Sequence, residues 1–194
     1  MKRKYGKLAI IACISVMGML IICLRGMNPM NKEDRFNSLF QYVCEEFPID
    51  WRLAKAVAII ESSLNPMAVS SAGAKGLMQL MDGTAADMRV IQVFDTEENV
   101  KGGVRYLQWC RLKFFGLQEK DIRFALASYN GGFLYIQEAQ HLTLGKGKDA
   151  DDWNEVKSML SHKECIVNGK RPDAKQIIRY VEKVMRQYKK LKEE

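Results

Sequence analysis

Histidine is almost missing from this chain, with two residues in 194, and its five cysteines are scattered. Neither CxxC nor HExxH occurs, so the ligand spacings of structural or catalytic zinc sites are absent from the sequence. There is no flavin- or phosphate-binding loop, no internal repeat and no low-complexity tract. Strands are hard to find as well: only the stretch from Ala68 to Leu80 has room for a small hairpin, and a plain loop fits it equally. Any chemistry must therefore come from side chains other than metal ligands, on a frame that is all-α or nearly so.

Negative charge is lacking at both ends. Residues 1–30 carry Lys2, Arg3, Lys4, Lys7 and Arg25 with no acid, and residues 174–194 carry seven bases against three acids. The net charge of +7 thus leaves −2 on residues 31–173, and a nearly neutral body excludes nucleic acid as the expected partner. The basic front end precedes 17 uncharged, mostly apolar residues, Leu8 to Leu24. That run exceeds a signal-peptide core of about 7 to 15 residues and reaches the roughly 17 needed to span a bilayer. No small-x-small cleavage site follows, because Leu24 and Gly26 flank Arg25. The expectation is an uncleaved anchor over residues 1–27, with a cleaved signal peptide as the alternative, a juncture over 28–35 and one domain over 36–194. Outside the cytoplasm Cys44, Cys110 and Cys165 are too few to pair completely, and the residues fit core positions with one bridge possible.

What remains is helical punctuation. Phe36, Leu39, Phe40, Val43 and Phe47 recur at helical spacing until Pro48. Asp50 suits the N-cap of a helix from Trp51 to Ser63, which Asn65-Pro66 stops. Thr84 suits a cap for a helix through Arg89, and Thr96 for a longer one to Phe115. That longer helix contains Gly102 and Gly103, which imply close packing. Asp121 opens Ile122–Asn130, which Gly131-Gly132 ends, and short helices follow over 133–142 and 153–160. The last helix, after Pro172-Asp173, bears Ile177, Val181 and Val184 on one stripe, with Tyr180 placed off it.

Glu61 stands out in "AVAIIESSLNP", residues 56–66. It occupies the last turn of its helix, on a face with Ala54, Val57 and Ala58, whose small size leaves room beside it. The negative end of the helix dipole and partial burial both favour the protonated form. A carboxylic acid that keeps its proton near neutrality suits general acid catalysis on a glycosidic oxygen. A solvated glutamate at a helix end is the plain alternative.

The context bears on that choice. "ESSLNPMAVSSAGAKGLMQLMDGTAADM" at residues 61–88 resembles the signature of the soluble-lytic-transglycosylase family, glycoside hydrolase family 23, through Glu61-Ser62, Ser70-Ser71, Gly73-Ala74, Gly76-Leu77-Met78-Gln79, Met81 and Thr84-Ala85. "NVKGGVRYL" and "ALASYNGG" look like two further family motifs, and the likeness extends over residues 36–190, most like the membrane-bound type F branch. Departures are Asp82, where the family commonly has Pro, and Gly131, where it commonly has Ala.

The resemblance implies a lysozyme-like fold, peptidoglycan glycan strands as substrate, and neither metal nor organic cofactor. Glu61 would be the single acid/base, cleaving between N-acetylmuramic acid and N-acetylglucosamine to leave a 1,6-anhydro sugar. Ser62 would bond near Glu61 or the sugar. Gln79 would touch substrate, with Gly76, Leu77 and Met78 shaping the wall. Tyr129 and Asn130 would orient the sugar, and Tyr180 would match a family tyrosine near the acid. Two other readings stand beside this one: a lysozyme-like hydrolase using Asp82, Asp87 or Asp95 as base, and a non-catalytic peptidoglycan-binding part of a secretion or conjugation machine.

Overall fold

Aspartate sets where most of the helices begin. Asp50, Asp95, Asp121, Asp152 and Asp173 each stand just ahead of a helix and accept a backbone N–H from its first turn, satisfying a donor the helix leaves unpaired. The computed structural model describes residues 32–114 and 121–194, with side chains from residue 35 onward. Its helices are α1 Lys32–Cys44, α2 Trp51–Ser62, α3 Asp82–Asp87, α4 Thr96–Leu112, α5 Ile122–Gly131, α6 Phe133–Gly145, α7 Trp153–Leu160 and α8 Ala174–Glu193. Extended pairing among the described residues is confined to isolated bridges, two of them in the 69–80 loop. The mostly helical class expected from the sequence is the one observed.

Two helix starts differ from expectation. α3 begins at Asp82 rather than behind Thr84, with Met81 in the capping position but no side-chain cap. Asp82 thereby takes the first helical position, where Pro is common because its missing N–H costs nothing and where an acid meets the positive end of the dipole. Its carboxylate also pairs with Lys75 at 2.6 Å. α4 is capped by Asp95, whose carboxylate accepts from the Glu98 amide at 2.8 Å, so Thr96 is its first residue instead of its cap.

The chain divides into two units, Met1–Phe36 and Asn37–Glu194. Only the start of α1 represents the first among the described residues, and the apolar run Leu8–Leu24 lies outside them. No helix among the described residues is long and apolar enough to cross a membrane.

In the second unit α5 is the hub, packing on α4, α6 and α8, with Phe124 to Tyr129 buried. α2 lies along α8. Ala54, Val57 and Ala58 have no exposed surface, so the small residues on the face of Glu61 serve helix packing and not an open cleft, contrary to expectation. The α4 glycines do mark close contacts. A Cβ on Gly102 would stand 2.2 Å from Val90 Cγ2, and one on Gly103 would stand 2.4 Å from Met78 Sδ. At the end of α5, a Cβ on Gly131 would stand 2.3 Å from Ile177 Cδ1 of α8. Each helical glycine costs about 1 kcal/mol of helix propensity, which the admitted side chains offset by packing. Cys44, Cys110 and Cys165 are buried free thiols.

Candidate active site

The site begins with the way α2 stops. Ser63 and Leu64 both adopt left-handed backbone, at φ 53° and 57°, and the chain turns sharply away directly after Glu61 and Ser62. Two consecutive non-glycine residues in that region store strain of order 1 kcal/mol or more each, which the surrounding structure must hold. Ser62 Oγ contributes to that hold. It lies 3.1 Å from Ala58 O in its own helix and 2.8 Å from Leu77 O in the 66–80 loop, tying the helix end to the opposite wall.

That wall is built around Asn99 of α4, a buried carboxamide whose oxygen and both amide hydrogens are hydrogen-bonded. Oδ1 accepts from Met78 N at 2.8 Å, and Nδ2 donates to Lys75 O at 3.1 Å and Val93 O at 2.8 Å. Gly76 must be glycine for two reasons: its φ is +79°, and a Cβ there would stand 2.2 Å from Asn99 Nδ2. Tyr129 closes the assembly by donating its hydroxyl to Met78 O at 2.7 Å. Gln79, itself left-handed at φ 50°, donates through Nε2 to Ala68 O and Gly76 O and braces the turn.

Of the residues expected to shape the wall or orient the sugar, three are buried behind the cleft surface. Met78 has no exposed surface and lies against Gly103, Gly76 is buried under Asn99, and the Tyr129 hydroxyl is engaged by Met78. Burial is the common reason, because the wall is shaped from inside. Glu61, Asn130 and Tyr180 do meet at one cleft, of about 550 Å³, between the end of α2, the end of α5 and one face of α8. Tyr180 is not off the α8 stripe as predicted but buried on its flank. It sits three positions after Ile177, a helical separation that keeps both on adjoining parts of one face.

Glu61 is the chemically unusual group. Burial pushes its carboxyl up to about 7, with the Tyr180 hydroxyl pulling in the opposite direction. The Tyr180 hydroxyl is near enough to favour the carboxylate, yet it makes no hydrogen bond of ordinary length and angle. Burial, and then the Glu61 charge, hold the Tyr129 and Tyr180 phenols well above their usual range, so both remain protonated. The other carboxylate lining this cleft, Asp173, accepts the Gln176 amide at 2.9 Å as the α8 cap. One acid that holds and releases a proton near neutrality thus faces the cleft, while the second carboxylate in its lining, Asp173, has one oxygen engaged as a helix cap.

Two sets of residues lacked a sequence role. Asn99 stands in the quoted "NVKGGVRYL" stretch, but nothing local shows that its carboxamide gathers backbone from residues 75, 78 and 93. Lys175, Arg179 and Lys183 read as a solvated helix face, whereas they line the cleft.

A helical domain with a proton-holding glutamate at the mouth of one cleft is the class that fold and site define. The chain belongs to the family described as transglycosylase SLT domain, which matches residues 38–151. It is 34% identical over 166 residues to the membrane-bound lytic murein transglycosylase F of Desulfosudis oleivorans, covering 82% of this chain and 37% of that protein. With the protein of the same name from Vibrio vulnificus it shares 41% identity over 132 residues, 67% of this chain and 25% of the relative. The chain thus spans from a quarter to just over a third of these relatives. The structure of the 70 kDa soluble lytic transglycosylase of Escherichia coli superposes with a TM-score of 0.60 at 27% identity, over 80% of this chain and 24% of that one.

Proposed function

We propose that this chain is a lytic transglycosylase of peptidoglycan, cleaving the bond between N-acetylmuramic acid and N-acetylglucosamine without consuming water. The observation that carries the reading is the place of Glu61, a half-buried carboxyl at the edge of a cleft shared with Asn130 and Tyr180, where burial pushes its pKa up to about 7. The names of the similar proteins point the same way. In the first step Glu61 gives its proton to the glycosidic oxygen as the bond to C1 breaks. The resulting carboxylate then takes the proton of the muramic 6-hydroxyl while that oxygen bonds to C1, which closes the 1,6-anhydro ring and restores the acid. A single carboxyl suffices because the nucleophile belongs to the substrate and is already positioned.

The hydrolase alternative needs a second carboxylate to activate water. None of Asp82, Asp87 and Asp95 lines the cleft with Glu61; Asp82 is exposed and paired with Lys75, and Asp95 caps α4. Asn130 and Gln79 are the polar groups proposed to meet the sugar, with Ser62, Gly76, Met78 and Tyr129 holding the wall and Tyr180 tuning the acid. Residues 36–194 form the proposed catalytic domain. The apolar run within residues 1–27 supports an inner-membrane anchor that places this domain in the periplasm, with residues 28–35 as the juncture.

The test is digestion of purified sacculi by the full chain, with products read by mass spectrometry. Muropeptides ending in 1,6-anhydro sugars, one water lighter than hydrolytic products, are expected. Reducing ends alone would replace this reading with the hydrolase.

A further inference from the structure

Three cations face the cleft beside Glu61. Lys175, Arg179 and Lys183 stand four residues apart on α8, so their side chains follow one line along the helix, roughly 12 Å from first to last. All three are exposed, and none forms an ion pair among the described residues. Lack of an ion pair among the described residues is shared by Arg186 and Lys192 on the same helix, so it is the common place of the three along the cleft that sets them apart. Farther along α8, Lys189 and Lys190 each have a glutamate four residues on within ion-pair distance, Glu193 at 3.9 Å and Glu194 at 3.8 Å. The cleft cations have no such partner, although Asp173 lines the same space; its carboxylate serves the Gln176 amide. The line belongs to the basic stretch of residues 174–194, seven bases against three acids, whereas residues 31–173 carry a net charge of −2.

We propose that Lys175, Arg179 and Lys183 form a binding rail for carboxylates of the peptides borne by muramic acid. The enzyme would then prefer peptide-bearing strands to strands of neutral substituents. This rests on the reading of the cleft as a glycan site. A strand with its scissile bond at Glu61 brings its own substituents alongside α8, so the anion that meets the rail is covalently attached to the substrate. A cleft wall concentrates the field of its charges, and strand binding gains from three contacts at once. The rail touches substituents and not the reacting atoms, so its effect belongs in KM.

The experiment is a cycle of two proteins and two substrates. The full chain and its K175Q/R179Q/K183Q variant are compared on peptide-bearing glycan strands, and on the same strands with peptide carboxyls converted to neutral methylamides. For the unaltered chain, KM is expected to be roughly tenfold lower on the native strands, the scale of a few exposed charge contacts acting together, with kcat unchanged. In the variant this difference collapses, and both proteins treat the neutral strands alike. Circular dichroism of the variant checks that its helices persist.

Equal KM values for the two strand preparations with the unaltered chain would overturn the rail while leaving the proposed function standing. Equal values together with inhibition by poly(glycerol phosphate) that the variant loses would reassign it to phosphodiesters. Absence of anhydro products from either preparation would instead remove the functional reading beneath it.

Discussion

Glu61 links stability to pH in the sense opposite to an ordinary surface acid. Its folded-state pKa near 7 lies above the 4.5 of an unperturbed glutamate, so the folded chain binds this proton more tightly than the unfolded one. Its favourable contribution is complete below about pH 4.5 and is lost as pH rises through about 7. Glu61→Gln is therefore expected to abolish most turnover, by about 10²- to 10⁴-fold, yet to stabilise the fold above neutrality. The gain is on the order of 3 kcal/mol near pH 8 and vanishes near pH 4, as denaturant unfolding at the two values would show. Under the proposed mechanism the same group is expected to set the alkaline limb of the rate profile, because the first step would need its proton. Tyr180→Phe removes the hydroxyl that lowers the Glu61 pKa, so that limb should move to higher pH with folding intact. An unmoved limb would separate Tyr180 from the acid.

At the scale of elements, the decisive joints lie between helices and loops. Asn99→Ala removes three hydrogen bonds that converge on the 75–78 turn and leaves Met78 N and two carbonyls to find new partners. A loss of roughly 2–4 kcal/mol is expected in unfolding experiments, together with a lower kcat in the surviving folded enzyme. This joint also marks how far the sequence can be read. Helix starts were legible to within a few residues because Asp50 and Asp121 cap locally, and the raised pKa of Glu61 followed from its partial burial among apolar residues. The depth of Met78 and Tyr129 was not, because it depends on α4 and α5 meeting the loop from 21 and 51 residues away. Local pattern likewise assigned Ala54, Val57 and Ala58 to a cavity, when only the arrival of other helices decides whether small residues leave space or admit a neighbour.

For the whole molecule, the basic front and the apolar run of residues 8–24 make a separate claim from the catalytic one. The full chain is expected to sediment with membranes after salt washing, and deletion of residues 1–27 should release it; recovery of the intact chain in the supernatant would count against an anchor. The second unit, in turn, is a body in which distant positions are not independent. Gly131 ends α5 with Ile177 Cδ1 only 2.3 Å from where its Cβ would stand. The two positions are consequently coupled in packing. Alanine at 131 becomes acceptable after residue 177 shortens, whereas the reverse order passes through an overpacked core, and shortening Ile177 alone opens a void. Ile177→Val is therefore expected to make Gly131→Ala tolerable, and denaturant unfolding should find the double variant more stable than Gly131→Ala alone.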